Sequence, residues 1–155
     1  MIGMGTEIFV RVAGLAGAGV LLGFGAWAFA DPASFYAQVA TFEPYNRHFL
    51  HDAGAFQLGL GAGLVVGMLG LSGRSAALWA AASAAAAHAL AHFLDWNLGG
   101  RVADPIGLSI VAVVLVAAAA LSTRTDLTPR GVSTDATSPT VAGVRQDLPP
   151  PTARD

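Results

Sequence analysis

The chain has 155 residues, of which 54% are hydrophobic and 12% charged, and its mean hydropathy is +0.59. This balance lies outside the range of soluble domains and predicts a membrane protein. The eight basic residues are all arginine and ten residues are acidic, so the net charge is −2 and no basic surface is available for nucleic acid. Because the chain has no cysteine, disulfides, thiolate metal ligands and cysteine nucleophiles are excluded.

Four apolar segments are long enough, or nearly so, to cross the hydrocarbon of a bilayer, which takes about 20 helical residues. We predict these spans at residues 8–30, 49–71, 76–98 and 105–121. Asp104-Pro105 at the start of the fourth segment fits an N-cap followed by proline at the first helical position. We therefore expect an all-α membrane protein in which residues 1–122 form a four-transmembrane-helix bundle.

The composition changes after the fourth span. Residues 123–155 contain four arginines, four aspartates and five prolines, together with many serines and threonines. A segment of this polarity cannot build a hydrophobic core, so we expect residues 123–155 to form a disordered cytoplasmic tail.

The placement of arginine predicts the orientation in the membrane, because cytoplasmic loops carry the excess of positive charge. With a cytoplasmic N-terminus, four arginines of the first 130 residues lie inside and only Arg47 and Arg101 lie outside. We expect a multi-pass protein of the cell membrane, with both termini in the cytoplasm and the link 31–47 outside.

The first span has a second interpretation, a signal peptide, because Ala28-x-Ala30 forms a small-residue cleavage site. The length of the apolar stretch and the presence of Glu7 beside Arg11 favour an uncleaved span. These two residues are four positions apart and can pair on one helix face, which lowers the cost of holding Arg11 near lipid.

Polar groups suited to metal binding lie where the second span begins and where the third span ends. On each helix they are spaced at i, i+4 or i+7, which places them on one face. Because the second helix enters the membrane where the third leaves it, both groups lie at the same end, which is the outer end in the orientation above. The candidate residues are His48, Asp52, His88, His92 and Asp95, with His51 and Asp104 as secondary candidates.

Small residues continue both helix faces away from these polar groups. The face of His48 and Asp52 runs on through Ala55, Gly59, Gly63 and Gly67, and the three glycines form a repeated G-x-x-x-G pattern typical of close helix packing. The face of His88 runs back through the alanines at 85, 84, 81 and 77. Packing of the two faces against each other would make the imidazole and carboxylate groups converge.

Imidazole and carboxylate together suit zinc, copper, iron or manganese. We expect a divalent-metal site with His48, His88 and His92 as primary ligands, and with Asp52 and Asp95 either ligating or orienting the imidazoles. The alternative is that these groups lie at headgroup level and only hydrogen-bond the helices together. Bis-histidine haem would need one histidine from each helix, such as His48 with His92, and is disfavoured because such pairs often occur without haem.

Two segments carry a resemblance to a known family. SFYAQVATFEPYNRHFLHDAGAFQLGLGAGL at 34–64, followed by HALAHFLDWNLGG at 88–100, resembles a group of small, largely uncharacterised bacterial membrane proteins with the pattern PYNxHxxxDxGAF and then HxxxHxxD. In size and layout these are similar to the DoxX-like four-helix membrane proteins. The resemblance covers about residues 8–121 and implies the same fold. Some DoxX-like proteins are membrane subunits of quinone or thiol redox systems, and a thiol role does not fit a chain without cysteine.

Three functions are compatible with the sequence. The first is an integral membrane protein with the His/Asp divalent-metal site, linked to redox chemistry. The second is a structural or accessory subunit of a larger membrane complex or homo-oligomer, and the third is a protein that binds quinone or another small lipophile. The sequence contains no Ser/His/Asp motif with family context, no P-loop and no dinucleotide fingerprint, so it assigns no reaction and leaves open whether the protein is an enzyme.

Overall fold

The computed structural model describes residues 3–127, which fold into five α-helices. These helices are α1 (Met4–Ala30), α2 (Pro32–Gln38), α3 (Arg47–Met68), α4 (Arg74–Leu94) and α5 (Asp104–Leu127). All except α2 are long and apolar enough to cross a membrane. The predicted all-α class with four membrane-length helices is confirmed.

The boundary predicted for the tail is wrong by several residues. We expected helical structure to end by residue 122, but α5 continues to Leu127. The side chains of Thr123 and Thr125 bond to carbonyl oxygens three or four residues earlier in the same helix, which fits continued helical geometry. The remainder of the predicted tail, 128–155, lies outside the described residues.

The four long helices run alternately up and down and form a four-helix bundle. Helix α3 packs between α1 and α4, and α5 packs between α4 and α1, so each helix is antiparallel to both of its neighbours. We call the end where α1 begins and α5 ends the terminal end, and the opposite end the α2 end. The start of α3 and the end of α4 both lie at the α2 end.

The core consists mainly of small side chains, whereas many large apolar side chains point outward. Ala18, Ala82 and Ala118 are almost fully buried, but Val113 is 68% exposed and Ile110 is 61% exposed. Small core residues allow the close helix packing that membrane bundles use, and outward-facing large apolar side chains suit contact with lipid. This distribution and the length of the helices are compatible with a multi-pass membrane protein.

Helices α1 and α3 touch through their backbones where two glycines face each other. A Cβ atom on Gly54 would lie 2.8 Å from the carbonyl oxygen of Gly25, and one on Gly25 would lie 2.9 Å from the carbonyl oxygen of Gly54. About two turns further along α3, a Cβ on Gly61 would lie 2.7 Å from the side chain of Leu22 in α1. The closest approach of the two helices therefore leaves no room for a side chain at these glycines.

The prediction of which face of α3 packs against a neighbouring helix is mostly wrong. Gly59 and Gly63 are exposed, and no other described part of the chain comes within 4 Å of a Cβ built on either residue. At about 100° per residue, they project roughly 140° and 180° away from Gly54, which faces α1. Only Gly67, at the far end of the predicted face, meets α4, with the Cβ of Ala77 3.1 Å from its own built Cβ.

Polar side chains fasten the terminal end. The Glu7 carboxylate accepts from Arg11 at 2.6 Å, as the spacing predicts, and from Arg74 of α4 at 2.7 Å. The hydroxyl groups of Ser75 and the fully buried Ser122 lie 2.8 Å apart and join α4 to α5. These contacts connect helices from both sides of the bundle at this end.

Candidate functional site

The short helix α2 covers part of the α2 end and was not predicted. Its N-cap is Asp31, whose carboxylate accepts from the backbone N–H of Ser34 at 3.2 Å, and Pro32 follows at the first helical position. Phe35 of α2 is buried and packs edge-on against Trp27 of α1, with ring centroids 5.5 Å apart. The helix therefore anchors the segment that leads into α3.

The link after α2 meets the link between α4 and α5. Phe42 and Gly99 form an antiparallel β-bridge, and the Arg101 guanidinium donates to the backbone carbonyl of Gln38 at 2.8 Å. Gly99 has a φ of +147° and a Cβ on it would lie 2.5 Å from the carbonyl oxygen of Thr41, so this approach requires glycine. The bridge holds Phe42 against the end of α4.

His88 and His92 form a close pair near the end of α4. Their Nε2 atoms are 3.2 Å apart and their ring centroids 4.9 Å apart. The ring of Phe42 packs edge-on against the ring of His92, with centroids at 5.4 Å and an interplanar angle of 87°. The pair lies on the helix stripe that includes Ala77, which touches Gly67 of α3; His88 is exposed and His92 is half-buried.

His48 and Asp52 form a second, looser pair on α3. The Nε2 atom of His48 lies 3.6 Å from Oδ2 of Asp52, a distance longer than a hydrogen bond, and the side chains are 86% and 55% exposed. On the helix they project roughly 120° and 160° away from Gly54, which faces α1. The pair therefore belongs to the outward face of α3, together with the exposed Gly59 and Gly63.

Asp95 lies at the very end of the stripe of His88 and His92. Helix α4 ends at Leu94, and Asp95 is its C-cap residue. Its backbone N–H still donates to the carbonyl of Ala91 at 2.9 Å, but its own backbone angles are no longer helical. Of the three residues expected on this stripe, the structure brings the two histidines into contact.

The secondary candidates take part in packing and helix initiation. The His51 ring lies against Phe29 of α1, with centroids 5.2 Å apart. Asp104 is the first residue of α5 rather than its N-cap, and its carboxylate accepts from the preceding backbone N–H of Arg101 at 2.8 Å. Both contacts hold these side chains to neighbours within the α2 end.

The predicted set of five ligands is divided in the structure. It forms the His88–His92 pair on α4 and the His48–Asp52 pair on α3, with Asp95 beyond the end of α4. Within residues 3–127, no group of three or more His, Asp, Glu or Cys residues is placed to hold a metal ion. The two pairs are separate because α3 packs against α1 through Gly54 and Gly61. This packing places His48 and Asp52 on the exposed face of α3.

Sequence reasoning missed Phe42 and Arg101, which shape the surroundings of the histidines. Their contacts join residues at least 50 positions apart in the chain, so no local periodicity indicates them. The one local signal is the Gly99-Gly100 pair, both with positive φ, which marks a tight turn and a close backbone approach.

Comparison with protein-family models, with curated proteins and with solved structures finds no match to this chain. The resemblance to DoxX-like proteins stays a prediction. The function is therefore inferred from the geometry of the α2 end.

Proposed function

We propose that the chain is an integral protein of the cell membrane, with both termini cytoplasmic, that binds a divalent transition-metal ion through His88 and His92. The supporting observation is the 3.2 Å separation of their Nε2 atoms. Zinc binds imidazole nitrogen at about 2.0–2.1 Å, so two ligands on a tetrahedral ion lie about 3.4 Å apart. Two imidazoles at this spacing need little movement to occupy neighbouring positions on one ion.

The surroundings of the pair also favour this function. The Phe42 ring packs against His92 and limits its rotation, so one of the two imidazoles is held in place while His88 is exposed. Two protein ligands leave coordination positions open for water or a small molecule, as catalytic metal sites do. Copper or iron held here would supply one-electron chemistry, whereas zinc would act as a Lewis acid.

Metal analysis of three proteins tests this proposal. The parent, His88→Gln/His92→Gln and the matched control His48→Gln/His51→Gln are prepared without a polyhistidine tag and loaded separately with zinc, copper, iron and manganese. We expect near-stoichiometric metal in the parent and in the control. The variant in α4 should bind at least about tenfold more weakly, since even loss of a residue that only orients a ligand costs that much.

Two results would contradict the proposal. Equal metal contents in all three folded proteins would show that the His88–His92 pair is not the binding site. Absence of metal from the parent after loading would leave these histidines as groups that fasten the α2 end. If the control variant lost metal as fully as the α4 variant, ligands from α3 would be required and the site would be larger than the pair.

A second candidate function is that of a structural or accessory subunit of a larger membrane complex. It is favoured by two G-x-x-x-G faces, at Gly19 and Gly23 of α1 and at Gly59 and Gly63 of α3. Over the described part of the chain, no atom beyond the adjacent stretch of the same helix lies within 4 Å of a Cβ built at these four positions. Such faces allow close helix contact between chains in membranes.

Leucine at both glycine positions of α3 tests the second function. Because both positions are open, Gly59→Leu/Gly63→Leu should leave the bundle folded. We expect the variant to run at a smaller complex size than the parent when membranes are solubilised in mild detergent. An unchanged complex size would contradict a role for this face in assembly.

A further inference from the structure

A groove runs along the outer surface between α4 and α5, from the α2 end toward the middle of the bundle. It consists of a cavity of about 410 Å³ at the α2 end and one of about 370 Å³ beside it. Phe93 and Ile106 line both cavities, so the two lie side by side. Such a groove accepts a long ligand rather than a compact one.

The two parts of the groove differ in polarity. The inner part is lined by Phe93 and by the α5 side chains Ile106, Ile110, Val113 and Val114. Its one hydroxyl group, on Ser109, already donates to the carbonyl of Pro105 within the helix at 2.7 Å. This part therefore offers an apolar surface at the depth where a span meets hydrocarbon.

The mouth of the groove carries polar groups. His92, Trp96 and Arg101 line it, and Arg101 is the one residue with a permanent charge among the described residues that line either cavity. The guanidinium is held in place because its Nη2 atom donates to the carbonyl of Gln38 at 2.8 Å. Nε and Nη1 of the guanidinium are separate donors that this bond does not use.

The charges around the mouth favour an anion. The first turn of α5 begins beside it, and the N-terminus of a helix carries partial positive charge. Two acidic residues lie nearby, Asp95 and Asp104, but neither lines the groove. One oxygen of the Asp104 carboxylate, Oδ2, accepts from the backbone N–H of Arg101.

We propose that this groove binds a phospholipid with an anionic headgroup, with its phosphate at Arg101 and an acyl chain along the inner part. Arginine presents a planar set of donors that matches phosphate. Trp96 is 76% exposed at the mouth, and exposed tryptophan is typical of the headgroup level of a bilayer. A headgroup at this depth places its chain beside Ile110 and Val113, which a free phosphate ion would leave unused.

Lipid binding is measured on the full-length protein in detergent, by native mass spectrometry with phosphatidylglycerol or phosphatidylcholine of the same acyl chains. A chelator is present throughout, so that the result does not depend on metal at the histidine pair. We expect the parent to prefer phosphatidylglycerol about fivefold, the contribution of one arginine near an anionic lipid surface.

Three variants locate the site. Arg101→Gln should bind the two lipids equally, whereas the matched control Arg47→Gln, at the same end of the bundle but outside the groove, should keep the preference. Ile110→Trp should weaken binding of both lipids because the larger ring fills the inner part. Ile110 is 61% exposed, so this substitution leaves the core unchanged and serves even if Arg101→Gln fails to fold.

Four results would overturn the proposal: equal binding of both lipids by the parent, a preference that survives Arg101→Gln, displacement of phosphatidylglycerol by millimolar inorganic phosphate, and selective retention of a quinone over phospholipid. Metal content of Arg101→Gln separates this proposal from the metal site, because Arg101 is not one of the proposed ligands. Unchanged metal with lost lipid preference supports the lipid groove alone.

Discussion

Adding a methyl group at Gly54 should push α1 and α3 apart. In Gly54→Ala the new Cβ would lie 2.8 Å from the carbonyl oxygen of Gly25 and 3.0 Å from the backbone nitrogen of Phe29. Close carbon–oxygen contacts in proteins are about 3.3–3.6 Å. Both partners are backbone atoms that cannot rotate away, so the helices must separate by roughly half an ångström, the difference between these contacts.

The steric cost of Gly54→Ala is best measured against a second glycine-to-alanine substitution that has the same effect on helix propensity. Gly→Ala in a helix interior is favourable by about 1 kcal/mol because alanine restricts the unfolded backbone more. Gly59→Ala shares this gain and adds a methyl group where the described part of the chain leaves open space. The difference between the two variants therefore isolates the steric term, which we expect to be about 1–3 kcal/mol, the usual cost of overpacking.

Reversible unfolding in mixed detergent micelles measures this difference. Gly54→Ala should have a free energy of unfolding about 1–3 kcal/mol below that of Gly59→Ala. The double variant Gly25→Ala/Gly54→Ala should cost less than the sum of its two single changes, since the first substitution already separates the same backbones. Equal stabilities of Gly54→Ala and Gly59→Ala would refute the backbone contact between α1 and α3.

Two further predictions concern the terminal end. A double-mutant cycle of Glu7→Gln and Arg74→Gln should give a coupling of about 0.5–1 kcal/mol in unfolding free energy, within the range for partly exposed ion pairs. Zero coupling would contradict a bond between α1 and α4. Ser122→Ala removes a bond between helices and should lower stability by about 0.6 kcal/mol, the average for such bonds in membrane proteins. Ser109→Ala is its control, since that hydroxyl bonds within its own helix, and a loss equal to that of Ser122→Ala would contradict the assignment.

The number and placement of the long helices follow from the length of the apolar segments. Each predicted span overlaps a helix over most of its length, because about 20 residues of low polarity have few other stable structures in lipid. The helix ends were less predictable, since local capping decides them. Asp31-Pro32 has the same cap pattern that we used at Asp104-Pro105, so the start of α2 was visible in the sequence although α2 was not predicted.

The packing face of α3 could not be read from its glycines. The helix contains glycine on several sides, and the G-x-x-x-G spacing at Gly59 and Gly63 fits a contact with any helix, whether in the same chain or another. The contact with α1 uses Gly54 and Gly61, spaced seven apart, because Gly25 and Leu22 of α1 meet them. The choice between these faces depends on the side chains of the partner helix, and the residue spacing along α3 gives no information about them.

The candidate site could likewise be predicted only in part, because the sequence shows the spacing within one helix but not the contacts between helices. The i,i+4 spacing of His88 and His92 places both rings on one side of α4, and the structure brings their nitrogens together. Whether His48 and Asp52 join them depends on how far α3 rotates about its axis. That rotation is set by contacts with α1, so it lay beyond what the histidine and aspartate spacing alone could predict.

The bundle consists of two helical hairpins in space, α1 with α3 and α4 with α5, whose contacts with each other are less extensive than those within each. The chain passes between them through residues 69–73 at the terminal end. At the α2 end, the Phe42–Gly99 bridge, the ring contact of Phe42 with His92 and the bond from Arg101 to Gln38 connect them. Because the covalent connection lies at the terminal end, the two hairpins can separate most easily at the α2 end. The ring that packs against His92 belongs to one hairpin and the histidine pair to the other, so this opening would remove the Phe42 ring from His92, whereas His88 is exposed already.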